Sequence, residues 1–308
     1  MLVFVVIFSA VAFVVLAALF IIPILVLSHL LGRRFNQEQF ESADYGITSK
    51  RITLKTDDGL NLAAWRTQSE NVKGTVIIIS GIQNPSVTAY FGCAKMYADN
   101  GWDSLLIEMR ARSLSEGETI GFGMTEWRDV KAGVNFLMSD IRAKDLPIVA
   151  MGTSMGGGTV ITAAGELREI TAVIALSAFS SFTNMIAEVM PVFGIPKFIA
   201  HMTKPFFKFH TGFRLGFDVL KYTPLYGIEK LGPRPLLLMH STGDTEVSFS
   251  QHEKLLEKAK ACNVKIKTFT REGDEHFIFS SENIKNPAQD TEAYQSIMDF
   301  LNDLHMSR

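Results

Sequence analysis

A serine within a glycine-flanked motif is the residue of this chain with the clearest chemical meaning. The motif is Gly152-Thr153-Ser154-Met155-Gly156, and it follows an apolar run. A nucleophile in a sharp turn between a strand and a helix has a strained backbone, so the positions two before and two after it must lack side chains. Gly152 and Gly156 meet this requirement. We therefore predict that Ser154 is a nucleophile at a helix N-terminus, where free N–H groups favour developing negative charge.

A hydroxyl is a poor nucleophile at neutral pH, so a base must take its proton. The chain has seven histidines. Six of them lie beside the apolar N-terminus, in a Phe-rich segment, in a helical pattern, at a strand end or near the C-terminus. His276 lies in a loop directly after the last predicted strand, a position that suits a catalytic base. We predict that His276 is the general base.

The base needs an acid that holds it in the correct tautomer, and Asp244 is the predicted acid. Asp244 follows the predicted strand at residues 236–239. The chain order Ser154, Asp244, His276 is expected when nucleophile, acid and base lie on successive loops at one edge of a parallel sheet. Asp274 is a rival acid, but a residue only two positions from the histidine more often shapes the turn.

The negative charge of a tetrahedral intermediate needs two N–H donors where it develops. One is predicted at the backbone of Met155, directly after the nucleophile. The second is predicted at the backbone of Ile82, in the loop at residues 80–84 that follows a predicted strand. The sequence has neither a metal-ligand spacing nor a dinucleotide-binding glycine pattern, so we expect no metal and no cofactor.

Short apolar runs that alternate with helical patterns indicate the elements that position these residues. The predicted strands lie at 76–79, 104–107, 148–151, 172–176, 236–239 and 264–269, after a hairpin of 51–55 and 60–66. The predicted helices lie at 89–100, 124–139, 155–167, 251–262 and 291–305. Nearly unbroken apolar strands with intervening helices predict one α/β domain, whose mostly parallel sheet has helices on both faces.

A Phe-rich segment at about residues 178–222 does not follow this alternation. It contains nine Phe and three Met residues, and we predict that it is a cap insertion in the domain. Phe and Met side chains line apolar pockets adaptably, which favours a small-molecule substrate with an apolar acyl or aromatic group.

An apolar run at residues 2–27 is broken only by Ser9 and Pro23. As a helix it would be about 39 Å long, against a hydrocarbon core of roughly 30 Å, so it can span a membrane. A signal peptide would need a basic start, a shorter apolar stretch and a small-residue cleavage site, none of which is present. A buried core helix is disfavoured by the length of the uncharged run.

These features divide the chain into three parts. We predict a single-pass transmembrane anchor at residues 1–32, a connector at 33–50 and the α/β domain at 51–308. Four basic residues, Arg33, Arg34, Lys50 and Arg51, follow the span. Basic residues that flank a span remain on the cytoplasmic side of the membrane. These four residues therefore favour a cytoplasmic position for the domain.

Charge and cysteine content exclude other classes of protein. The chain has 30 basic and 32 acidic residues, for a formal net charge of −2, so no nucleic-acid partner is expected. Two distant cysteines, Cys93 and Cys262, exclude a disulfide scaffold and a cysteine-rich zinc site. The sequence does not indicate an oligomeric state.

The sequence resembles the α/β-hydrolase superfamily, and within it a membrane-anchored bacterial branch of serine hydrolases related to dienelactone hydrolases and prolyl-oligopeptidase-like enzymes. The resemblance covers about residues 50–305. Besides the serine motif it rests on residues 108–113 with 115–117, on Glu126 with Asp129, and on residues 177–182 and 240–244. It implies an α/β-hydrolase fold with a small helical cap, preceded by one N-terminal transmembrane helix.

Two departures from the pattern of this superfamily concern loops. Ser80-Gly81 stands where the family commonly has His-Gly, and Arg110-Ala111-Arg112-Ser113 stands where it has Arg-Gly-His-Gly. These positions usually shape loops. We therefore expect an altered pocket and substrate, not loss of activity.

The predicted activity is that of a serine hydrolase that cleaves an acyl ester or thioester through an acyl-enzyme intermediate. A serine peptidase-like hydrolase is an alternative within the same class. A catalytically silent, membrane-tethered binding protein is an alternative from another class, because fold alone does not determine function. A silent relative would be expected to lack Ser154, Asp244 or His276, so the presence of all three favours the enzyme.

Overall fold

A computed structural model describes residues 1–35, 37–279 and 285–306, and an eight-stranded sheet forms its centre. The strands are β1 Ser49–Lys55, β2 Asn61–Thr67, β3 Gly74–Ile79, β4 Trp102–Ile107, β5 Ile148–Thr153, β6 Ile170–Leu176, β7 Leu236–Ser241 and β8 Ile266–Arg271. Their spatial order is β1-β2-β4-β3-β5-β6-β7-β8. β2 is antiparallel to both of its neighbours, and all other pairs are parallel. The predicted mostly parallel sheet is confirmed.

Nine α-helices lie within the described residues. They are α1 Leu2–Leu30, α2 Phe91–Asp99, α3 Trp127–Ser139, α4 Met155–Glu166, α5 Phe182–Val189, α6 Lys197–Leu215, α7 Pro224–Leu231, α8 Phe249–Ala261 and α9 Thr291–Met306. Helices α2 and α9 contribute to the apolar core on one face of the sheet, and α3, α4, α7 and α8 contribute to the core on the other. Because both faces are covered, every residue of β3, β4 and β5 is buried.

The first and last strands differ from the central ones. The predicted hairpin forms between β1 and β2, where Gly59 takes a φ of +95° in the connecting turn. β8 begins two residues later than predicted and is partly exposed, as expected of an edge strand with one neighbour. Its alternating polar residues made its start hard to locate from apolar content alone.

Two helices, α5 and α6, form most of the segment at residues 178–222. They pack against each other, and α6 also packs against α1. Most side chains in the first half of α1 are exposed, whereas Leu19 and Leu27 in its second half are buried. α1 is the one helix in the described part of the chain that is long and apolar enough to cross a membrane. Because α1 packs against α6, this N-terminal helix also contacts the folded domain.

Candidate active site

The turn after β5 holds Ser154 in a strained backbone conformation. Ser154 has φ 55° and ψ −117°, a combination that side-chain-bearing residues rarely adopt. A Cβ atom on Gly152 would lie 2.3 Å from the Gly156 backbone, and one on Gly156 would lie 2.5 Å from the Ile79 oxygen. Any side chain at either glycine would push the helix away from the sheet. This close packing is why the motif needs glycine on both sides of the serine.

A short hydrogen bond joins the predicted base and the predicted acid. The distance from His276 Nδ1 to Asp244 Oδ2 is 2.8 Å, and both side chains are buried. Asp244 follows β7 and His276 follows β8, so adjacent parallel strands bring them to one edge of the sheet. Ser154 follows β5 at the same edge. This edge is therefore where the structure places all three predicted residues.

The Asp244 carboxylate is held in its ionised form by several donors. Burial alone would raise its pKa, but hydrogen bonds from His240 and His276 and from the Val247 N–H hold the pKa of Asp244 well below its usual range. The backbone N–H groups of Glu246 and Val247 donate to Oδ1 at 2.9 and 2.8 Å. An ionised carboxylate at Nδ1 keeps the proton on that nitrogen and leaves Nε2 to act as the base.

Two residues around this pair were not predicted from the sequence. His240 Nε2 lies 3.3 Å from Asp244 Oδ2 and 2.8 Å from the Val247 oxygen, so it helps to position the acid. Glu246 Oε2 lies 3.4 Å from His276 Nε2. Neither contact had a signal in the sequence, because His240 lies near the end of a strand and Glu246 lies in an irregular turn.

His276 Nε2, the nitrogen that would accept the proton of Ser154, faces Glu246 in the structure. Within the described ranges, the Ser154 hydroxyl makes no hydrogen bond to His276 or to another residue. Such contacts are often loose without substrate and tighten in the substrate complex. The structure thus brings the acid and the base into contact, and it places the nucleophile at the same edge without a bond to the base.

Asp274, the rival acid, has a different role. Its carboxylate accepts hydrogen bonds from the Thr245 N–H and hydroxyl, both at 2.8 Å. These bonds tie the loop that carries His276 to the loop that carries Asp244. Asp274 therefore holds the two loops together, whereas Asp244 contacts the imidazole directly.

The two predicted oxyanion donors border one cavity together with Ser154. Met155 is the first residue of α4, so its N–H has no acceptor within the helix. Ile82 lies in the loop after β3, and this loop passes close to the nucleophile: a Cβ atom on Gly81 would lie 3.2 Å from the Ser154 Cβ. Ile82 and Met155 thus line the same cavity as Ser154.

Arg112 supports the loop that carries Ile82. Its guanidinium is fully buried and donates to the Ile82 oxygen at 2.7 Å and to the Asn84 oxygen at 2.6 Å. Its Nε lies 3.2 Å from the buried carboxylate of Glu108. This is the position at which the superfamily pattern has histidine. The longer Arg side chain can contact two carbonyl groups at once, which accounts for this departure in physical terms.

The other departures in this loop impose backbone strain. Ala111 and Ser113 have φ angles of 56° and 38°, where the superfamily pattern has glycine. Such a conformation costs a residue with a side chain about 1–2 kcal/mol. Backbone bonds hold the loop in place, from Arg34 N to the Ala111 oxygen and from Ser113 N to the Arg34 oxygen, both at 2.8 Å. The segment after α1 therefore helps to fix the loop that carries Arg112.

We predict that Arg112→Lys lowers kcat by about 100-fold with little change in KM, because a misplaced oxyanion donor acts on the transition state. A lysine keeps the charge beside Glu108 but loses the two-carbonyl contact. Steady-state kinetics on a soluble ester measure the effect. Arg234→Lys is the control, since Arg234 also donates to backbone oxygens, at Leu167 and Ile170, which lie at the edge of the sheet opposite to Ser154. An unchanged kcat in Arg112→Lys would show that Arg112 is not needed to position the donor.

An apolar cavity of about 560 Å³ extends from Ser154 under the cap. Residues from α5 and from the following turn form much of its wall, including Ile186, Val189 and Met190. α1 contributes Ile22, Val26 and Leu30 to the same cavity. The volume is within the range of small-molecule sites. The N-terminal helix is thus part of the candidate binding site, which its apolar sequence did not reveal.

Candidate metal ligands are not grouped in the part of the chain that the structure describes. None of its clusters combines three His, Cys, Asp or Glu side chains in a way that could hold a metal ion.

His252, which lies near His240, is mostly buried. Burial lowers the pKa of His252 to about 4, and His240 adds to the effect. His252 is therefore neutral near pH 7.

Comparison with solved structures identifies the fold. The chain superposes on an esterase from Pyrococcus furiosus with a TM-score of 0.67 and 22% identity, covering 88% of this chain and 98% of that one. It also superposes on an acylaminoacyl peptidase from Pyrococcus horikoshii with a TM-score of 0.60 and 17% identity, covering 83% of this chain and 41% of that one. These likenesses support the α/β-hydrolase fold that the resemblance implied.

Comparison of sequences identifies the family. The chain is 24% identical over 288 residues to protein YfhR of Salmonella typhi, with 86% of this chain and 90% of that protein covered. Residues 122–306 match the Prolyl oligopeptidase family. The matched region includes the Ser154 turn, the cap and the loops that carry Asp244 and His276. The chain therefore has the α/β-hydrolase fold and belongs to the prolyl oligopeptidase family, whose members are serine hydrolases.

Proposed function

We propose that this protein hydrolyses an ester or thioester of an apolar acyl group. Ser154 attacks the acyl carbon, His276 takes the hydroxyl proton, and the oxyanion is stabilised by the N–H groups of Ile82 and Met155. His276 then protonates the leaving group. Water attacks the acyl-enzyme in the second half of the reaction, again with His276 as base and with Asp244 stabilising the imidazolium.

The observation that carries this proposal is the position of the strained Ser154 in the wall of the apolar cavity. Apart from Glu246, Gln83 and a few hydroxyls, the cavity wall is formed by apolar side chains. An acyl chain can bury its surface there, while the carbonyl carbon lies beside the hydroxyl and the two N–H groups. A polar substrate would leave much of that wall without favourable contacts.

The two alternatives to ester hydrolysis are cleavage of an amide bond and binding of acyl groups without catalysis. The similarity to an acylaminoacyl peptidase keeps peptide hydrolysis as an alternative within the serine hydrolases. A tethered binding protein would bind acyl groups in the cavity without turnover. A matched pair of substrates, an acyl ester and the corresponding acyl anilide, separates ester from amide cleavage, and absence of turnover with both would favour the binding protein.

A panel of p-nitrophenyl esters of increasing acyl length tests the pocket. We expect Val189→Phe, which fills part of the cavity wall, to shift the preferred acyl length to shorter chains by about two to four carbons, because a phenyl ring is several CH₂ groups larger than a valine side chain. The kcat/KM profile across the panel is the measurement.

The control for this pocket test is Ile141→Phe. Ile141 is 86% exposed and lies before β5, at the end of that strand opposite to Ser154. Its profile should match that of the unsubstituted protein. A profile that is unchanged in Val189→Phe as well would contradict the acyl-pocket assignment.

We also propose that α1 anchors the protein as a single transmembrane span, with the domain on the cytoplasmic side. The exposed apolar first half of α1 and the basic residues after it support this arrangement. Protease treatment of sealed vesicles of known orientation would test it. Digestion of the domain only when the cytoplasmic face is outside would agree with this arrangement, and digestion only in the opposite orientation would contradict it.

A further inference from the structure

An exposed apolar surface covers the outer side of the cap. We name it the cap patch; its residues are Val192, Phe198, Met202, Phe209, Phe213 and Phe217, each between 48% and 78% exposed. At 100° per residue, the four of these on α6 fall within about 60° of one another, opposite the side of α6 that packs inward. An aromatic stripe of this kind in contact with water would be costly, so the cap patch indicates a surface that something covers.

The charge around the cap patch favours an anionic partner. Residues 189–218 include four basic residues, Lys197, Lys204, Lys208 and Arg214, and one acidic residue, Asp218. Lys197, Lys208 and Arg214 are exposed. An exposed apolar stripe beside basic residues is typical of helices that lie in the surface of a membrane, where the cations meet anionic lipid headgroups.

The position of α1 places the cap patch at the height of a membrane surface. Phe20 of α1 contacts α6, with its ring centroid 4.5 Å from that of His210 and 6.4 Å from that of Phe209. A helix of about 20 residues spans the hydrocarbon core. If residues 2–21 are the span, the rest of α1 and the adjacent α6 lie where the helix leaves the hydrocarbon.

The same two elements form walls of the catalytic cavity. α1 contributes Ile22, Val26 and Leu30, and α6 contributes Phe207, to the space that reaches Ser154. A lipid at the membrane surface would therefore have its acyl chain close to the cavity wall. A second copy of this chain is a weaker occupant of the cap patch, because its own basic residues would repel those of the first.

We propose that the cap patch lies in the membrane that α1 enters, and that the enzyme takes an acyl lipid substrate directly from this bilayer. The placement of the cap stands on the exposed stripe, its charge and its contact with α1. The lipid substrate rests in addition on the proposed hydrolase function. The two parts are tested by different measurements.

Fluorescence quenching tests the placement without the use of activity. The full chain carrying Phe213→Trp is reconstituted in vesicles of phosphatidylcholine and phosphatidylglycerol with brominated acyl chains. The new tryptophan adds its emission to that of the three native tryptophans. We expect bromine to quench most of this added emission. The matched control, Ile141→Trp, should show no quenching of its added emission. Equal emission with and without bromine in Phe213→Trp would overturn the placement, and crosslinking between copies through α6 in that case would identify a second copy as the occupant.

A comparison of two substrates tests the lipid source. We expect the double variant Phe198→Ser/Phe213→Ser to lose about tenfold in kcat/KM for a long-chain acyl ester embedded in vesicles, because insertion of the cap into the bilayer scales with the apolar area that the cap buries there. Its kcat/KM for water-soluble p-nitrophenyl acetate should stay unchanged, and Ile141→Ser should change neither. Equal rates of the double variant and the unsubstituted protein on the embedded ester would overturn extraction from the bilayer. If the unsubstituted protein cleaves neither ester, the proposed hydrolase function fails, while the quenching result still decides the placement.

Discussion

Ser154→Ala is expected to lower kcat for a soluble p-nitrophenyl ester by at least about 10⁴-fold, because the residual rate would come from binding and the oxyanion donors alone. The substitution removes one oxygen atom and leaves the turn between β5 and α4 in place. Alanine has a Cβ atom as serine does, so it meets the same steric cost at φ 55°, and the fold should persist. Steady-state kinetics and a thermal melt measure the two effects.

A nearby serine provides the control for this prediction. Ser177→Ala alters a buried hydroxyl at the end of β6, where Ser177 also has a positive φ of 48°. It should retain nearly full activity, because its hydroxyl does not border the cavity. If Ser154→Ala and Ser177→Ala were equally active, Ser154 would not be the nucleophile.

Asp244→Asn is expected to lower kcat by about 10³- to 10⁴-fold with a small change in KM. The amide cannot stabilise the imidazolium, and its NH₂ group can turn His276 into the tautomer that has the proton on Nε2. The 2.8 Å contact with Nδ1 shows how directly the substitution would act. Kinetics with excess soluble ester measure kcat separately from KM.

Asp274→Asn is the matched control, because it removes a carboxylate from the neighbouring loop. Its contacts are with Thr245 and not with the imidazole. We expect it to lower stability slightly and to leave kcat within about threefold, since it acts through loop order alone. A loss in Asp274→Asn as large as that in Asp244→Asn would contradict the assignment of Asp244 as the acid.

The substitution Asp244→Asn is also expected to have a pH-dependent effect on stability. In the unfolded chain the Asp244 carboxyl titrates near pKa 3.9, and in the folded protein its pKa lies below that range. Ionised Asp244 therefore contributes stability above about pH 4, and this contribution is lost as the pH falls further. The difference in unfolding free energy between the unsubstituted protein and Asp244→Asn, from urea titrations, should be larger at pH 7 than at pH 3.

The central sheet could be predicted from the sequence because its strands are short, apolar and separated by helices. β5 starts at Ile148 as predicted, and the helix after the serine motif starts at Met155. The glycine positions of the motif followed from a steric argument, and the structure shows the close contacts that this argument required. Local pattern and local geometry agree in this part of the chain.

Contacts between distant segments could not be predicted in the same way. The role of Arg112 depends on two carbonyl groups about thirty residues away in the chain. The contribution of α1 to the cavity depends on how the cap packs, whereas its composition indicates only an apolar helix. Glu246 faces His276 because the loop after β7 turns back, and no periodicity encodes that turn.

The most direct test of Ser154 as the nucleophile is to find where a fluorophosphonate probe attaches to the folded, unsubstituted protein. The probe mimics the tetrahedral intermediate and reacts with a serine only when a base and an oxyanion site activate it. Digestion and mass spectrometry of the labelled protein identify the modified residue. We predict a single adduct on Ser154, and one that is lost in Asp244→Asn under the same conditions. An adduct on a different serine, or none while the thermal melt shows an intact fold, would contradict the assignment of this site.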